Sequence, residues 1–127
     1  MSITASRTII CGLLFLFSLI SGFWLSNSGK PLSVAIITIH KLIALATVIV
    51  TAGYVYSLFR AMDIRSFVDL VVIAVTGLLF IVLFISGALL SLDKPLPGAI
   101  LRIHQVAPLL ALAFSAMTIY LLVSSQS

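Results

Sequence analysis

Four apolar runs dominate this chain, at about 8–26, 33–59, 67–91 and 97–123. Each reaches the roughly 20 residues that a helix needs to cross the hydrocarbon core of a bilayer. Within them Leu, Ile, Val, Ala and Phe follow one another without the polar alternation that a membrane barrel strand requires. Helices satisfy backbone N–H and C=O groups inside a single segment, as lipid demands. Composition closes off the other classes. Hydrophobic residues make up 62% of the chain and charged residues 8%, against about a quarter charged in an average soluble domain. A disordered chain is excluded too, because disorder needs polar and charged residues. The expectation is one all-α membrane domain over 1–127, a transmembrane up-and-down four-helix bundle.

The breaks between runs are short. Ser26 to Pro31 is a turn by composition, with Pro31 set to open the next helix. Arg60 to Ser66 carries Arg60, Asp63 and Arg65, and Leu92 to Gly98 carries Asp93, Lys94, Pro95 and Pro97. Connections this short make sequential helices antiparallel neighbours. The first run follows Arg7, as a signal peptide would, but it lacks an A-x-A cleavage site and is long for an h-region, so it is read as a helix of the mature chain. Counting loop cations, the face with both termini has Arg7, Arg60 and Arg65, and the other has Lys30 and Lys94. The positive-inside rule then puts the termini in the cytoplasm and the protein in the cell membrane. Counting Lys41 and Arg102, just inside the helices, reverses that sign.

The chain reads as two similar halves, about 8–62 and 67–123. Gly12-Leu13-Leu14-Phe15 matches Gly77-Leu78-Leu79-Phe80, and Ser21-Gly22 matches Ser86-Gly87, both 65 positions apart. Lys30-Pro31-Leu32 matches Lys94-Pro95-Leu96, and Ile39-His40 matches Ile103-His104, both 64 apart. Two-span halves enter the membrane with the same polarity, so they relate by a pseudo-two-fold axis along the membrane normal. That axis gives His40 and His104, the only two histidines, the same depth on the second and fourth helices.

The stripe below His40 holds Ala44, Thr47, Thr51 and Tyr54, and the stripe below His104 holds Pro108, Ala111, Ser115 and Thr118. These are helical spacings on one face. Small and hydroxyl residues in membranes mark helix contacts rather than lipid contacts, so both histidines are expected to point inward. Packed helices lie about 8–10 Å apart, which makes the diagonal of a square bundle roughly 12–14 Å. Two inward imidazoles then leave a gap that one metal atom, about 2 Å from each nitrogen, can bridge. Zinc needs four ligands, and no carboxylate lies near enough to complete the set. A haem brings four equatorial nitrogens of its own and needs only two axial ligands from the protein. It is also a large apolar plate suited to a bundle interior. In this reading the metal ligands are His40 and His104, holding one haem b. Gly22 and Gly87 leave room for the cofactor on the same side, and Lys41 and Arg102 meet its propionates.

Ser-Gly in the odd helices with inward His in the even ones resembles small four-helix membrane b-type cytochromes, broadly those like cytochrome b561. That resemblance implies axial ligation by His40 and His104 and an electron-transfer role. Many such proteins carry four histidines and two haems; here the termini-side half has no histidine, which excludes a second bis-His haem.

The partners implied are the lipid bilayer and a quinone, a redox partner protein or superoxide, the last drawn by the four cations Lys30, Lys41, Lys94 and Arg102. A homo-oligomer is compatible with the pattern. Scattered charges totalling +4 form no nucleic-acid footprint. Cys11 alone gives no intrachain disulfide and no Cys-based metal site. No paired carboxylates, nucleophile-base pair or phosphate loop appears, and the chain is read as a membrane oxidoreductase or otherwise as an electron carrier. The competing readings are a small non-haem transporter or channel with proton-active histidines, and a structural membrane subunit with packing histidines.

Overall fold

The computed structural model describes residues 2–28, 33–61, 66–92 and 94–124. The Lys30-Pro31-Leu32 turn, Asp63, Arg65 and Asp93 lie outside them. The chain is all-α, with four long helices: α1 (Ile3–Asn27), α2 (Val34–Arg60), α3 (Phe67–Leu90) and α4 (Gly98–Ser124). No strand occurs among the described residues. Each helix is long and apolar enough to cross a membrane, which makes this a multi-pass membrane protein.

Local chemistry fixes the ends. Helix α1 starts five residues before its apolar run, because Ser2 caps it: the Ala5 N–H donates to Ser2 Oγ at 3.1 Å. The polar turn Thr4 to Arg7 is therefore helical. Helix α3 opens on a capping box, with the Asp69 N–H donating to Ser66 Oγ (3.1 Å) and the Ser66 N–H to the Asp69 carboxylate (3.4 Å). That pairing explains how Asp69 is buried at a membrane helix end. Helix α4 contains Pro108, which brings no N–H to the His104 carbonyl.

The chain separates into two compact units, Met1–Tyr54 and Val55–Ser127. The division falls inside α2 rather than in the loop before α3, so the last two turns of α2 group with α3 and α4. In the first unit, α1 and α2 run antiparallel and touch at two levels. Near the start of α1, Tyr54 Oη lies 2.9 Å from Thr8 Oγ1 and donates to the Thr4 carbonyl at 3.1 Å; near its end, Ser21 meets His40. In the second unit, α3 and α4 pack along each other, with Thr76 Oγ1 3.2 Å from Thr118 Oγ1 and Ser86 meeting His104. The outer faces carry Leu42, Ile49, Leu78, Ile85 and Leu109, all more than half exposed, which is the surface a lipid environment favours.

Burial selects few positions, and they recur. In α1 the buried residues are Cys11, Phe15 and Ser21; in α3, Thr76, Phe80 and Ser86 are buried, each 65 positions later. Thr47, Thr51, Tyr54 and Leu58 are buried on α2, and Ala111, Ser115, Thr118 and Leu122 on α4, each 64 positions later. The small, weakly polar stripes below the histidines are thus interior apart from their first members, Ala44 and Pro108, which are half-buried.

Candidate functional site

In the first unit, Ser21 and Gly22 lie near the end of α1 and His40 near the start of α2. Ser21 Oγ donates to the Ser18 carbonyl of its own helix at 3.0 Å and lies 2.7 Å from His40 Nδ1. Gly22 is where the imidazole edge meets α1. A Cβ added there would stand 3.1 Å from His40 Cε1 and 3.7–3.8 Å from both ring nitrogens. Any side chain at this position would press on the ring. The His40 imidazole is half-buried and held on two sides.

The second unit repeats these contacts. Ser86 Oγ donates to the Leu83 carbonyl at 3.2 Å and lies 2.8 Å from His104 Nδ1. A Cβ at Gly87 would stand 3.1 Å from His104 Cε1 and 3.8 Å from both ring nitrogens. The repeated sequence elements Ser-Gly and His are therefore brought together inside each hairpin, by antiparallel pairing of an odd helix with the even helix that follows it.

The sequence reading keeps Gly22 and Gly87 open for a cofactor edge; in each unit the neighbour filling that space is the imidazole itself. Gly12 and Gly77, which match equally well in sequence, have nothing within 4 Å of a built Cβ. Lys41, directly after His40, and Arg102, two residues before His104, are exposed, as is Lys94. The residues that sequence reasoning missed are Ser21 and Ser86. Their recurrence with the glycines was visible, but no role followed from it until the imidazoles were found against them.

Below the histidines the hydroxyls behave in two ways. Thr47, Thr76 and Thr118 donate to the carbonyl four residues back at 2.7–2.8 Å, the ordinary solution for a hydroxyl in an apolar helix. Thr51 Oγ1 and Ser115 Oγ, at equivalent positions, are buried and make no hydrogen bond among the described residues. Among the described residues no three His, Cys, Asp or Glu side chains form a metal-binding group. The donor set each hairpin offers is one imidazole. That suits a cofactor carrying its own equatorial nitrogens and does not suit zinc. Compared with known families, curated proteins and solved structures, the chain matches none.

Proposed function

We propose that this protein is a membrane b-type cytochrome that holds one haem b through His40 and His104 and transfers electrons. One observation carries the reading: each hairpin presents an imidazole fixed by a serine hydroxyl at 2.7 or 2.8 Å and backed by a glycine. Two identically mounted imidazoles, the only histidines in a chain with a single cysteine, would hold a haem that brings four nitrogens of its own. Haem, when bound, supplies one-electron redox chemistry. The chain's own residues do the rest. His40 and His104 would ligate it, the apolar helices would exclude water, and Lys41 and Arg102, within one turn of the ligands, would pair with its propionates at the membrane interface. The electron partner is a quinone, superoxide or a redox protein in the cell membrane, with the termini on the cytoplasmic side. Whether the chain is an oxidoreductase by itself or a carrier within a complex depends on that partner.

The test is an absorption spectrum of protein purified from haem-supplied cells. A Soret band that shifts on dithionite reduction, with sharp α and β bands, supports the reading. A colourless preparation that takes up no added haem overturns it. A second reading, a non-haem transporter or channel, is favoured by the two unbonded buried hydroxyls of Thr51 and Ser115, which a passing solute or water would satisfy. Liposome flux that depends on His40 in haem-free protein would select it.

A further inference from the structure

We propose that Ser21 and Ser86 are positioning residues: each locks its histidine in the tautomer that carries the proton on Nδ1, so that Nε2 is the nitrogen with the lone pair. The argument is proton counting. A serine hydroxyl has one proton and two lone pairs. Ser21 Oγ touches two groups, the Ser18 carbonyl at 3.0 Å and His40 Nδ1 at 2.7 Å. The carbonyl can only accept, so the hydroxyl proton goes to it. The remaining contact is then made by the ring N–H donating to a serine lone pair. Ser86 repeats the logic, with the Leu83 carbonyl at 3.2 Å and His104 Nδ1 at 2.8 Å. A neutral imidazole with its proton on Nδ1 has its basic lone pair on Nε2.

Gly22 and Gly87 complete the mount, because their missing side chains let the ring edge lie against the helix that carries the serine. This hairpin device sets both the tautomer and the ring plane before any ligand arrives, and a donor-bonded imidazole is also the more basic ligand. The consequence for redox potential rests on the haem reading; the tautomer does not.

The experiment has two arms. In the first, the full chain with 15N-labelled histidine is placed in lipid nanodiscs without haem. Long-range 1H–15N correlation then reports which ring nitrogen bears the proton. Both rings with the proton on Nδ1 is the expected result; a proton on Nε2 alone in either ring overturns the proposal, whatever the protein binds. Ser21→Ala and Ser86→Ala should each release the tautomer of their own histidine only. In the second arm, haem-loaded Ser21→Ala and Ser86→Ala should show a raised midpoint potential and roughly 10-fold weaker haem binding, the lower end of losses seen when the partner of a metal-bound histidine is removed. Ser21→Thr and Ser86→Thr, which keep the hydroxyl, should restore both. Potentials that stay at the wild-type value in both alanine variants overturn the positioning role. A wild-type chain that binds no haem but shows Nδ1 protonation sinks the cytochrome reading and leaves the tautomer lock standing.

Discussion

In the first hairpin unit the His40 ring meets Ser21 at 2.7 Å and the Cβ position of Gly22 at 3.1 Å; in the second, His104 meets Ser86 at 2.8 Å and Gly87 at 3.1 Å. At the opposite end the units differ. The first ties α1 to α2 with Tyr54, which bonds Thr8 and the Thr4 carbonyl. The second uses the smaller Thr118 at the equivalent place, its hydroxyl 3.2 Å from that of Thr76. The second unit also has Pro108 where the first has Ala44. Packing at the far end has more than one solution, and the two units use different ones. The histidine mount keeps one, within 0.1 Å in the serine-imidazole distance. Generic helix glue would tolerate the same drift at both ends, so the contrast favours a specific task at the histidine end.

The largest effect expected is loss of either imidazole. If the protein holds haem as proposed, His40→Ala and His104→Ala should each abolish its low-spin spectrum completely, and a surviving spectrum in either would break the equivalence of the two units. Next come the glycines. Gly22→Ala and Gly87→Ala put a methyl 3.1 Å from Cε1, so each ring must shift by a few tenths of an ångström. Haem titration should show about a tenfold loss of affinity, ~1.4 kcal/mol, in both. Gly12→Ala and Gly77→Ala, whose built Cβ atoms meet nothing, should leave haem uptake unchanged.

Smaller effects separate the far ends. Tyr54→Phe removes the hydroxyl that bonds to α1 and should cost about 1 kcal/mol in detergent unfolding. Thr118→Val removes one interhelical hydroxyl contact and should cost no more than about 0.6 kcal/mol, the usual value inside membranes. Equal costs would erase the asymmetry between the units. The smallest effects concern the unbonded hydroxyls: Thr51→Val and Ser115→Ala should leave stability unchanged or raise it by about 1 kcal/mol, because they remove a buried group with no partner. A clear loss of stability would mean that a bound water or solute satisfies them, and would strengthen the transport reading.

Much of this architecture was legible along the chain. The last three apolar runs coincide with α2, α3 and α4 to within a residue or two, since hydropathy and the Pro and Gly breaks act locally. Helix α1 was underestimated at its start because Thr4 to Arg7 are polar, while the Ser2 cap that continues the helix through them is a weak signal. The inward stripes were visible because small and hydroxyl residues recur at helical spacing, and Thr47, Thr51, Ala111, Ser115 and Thr118 are indeed buried. The role of Ser21 and Ser86 was not visible. A serine near a helix end reads equally well as a residue bonded only to its own backbone, which is also one of the two bonds that each makes.

The sequence by itself determined that the chain is helical, where it spans, and that Ser-Gly and His recur together, because these follow from local hydropathy and spacing. Tertiary structure alone decided that the serine and the histidine touch. That contact depends on the rotation and register of two helices against each other. A shift of one residue turns a side chain about 100° around its axis, since a turn takes 3.6 residues, and would carry the serine away from the imidazole.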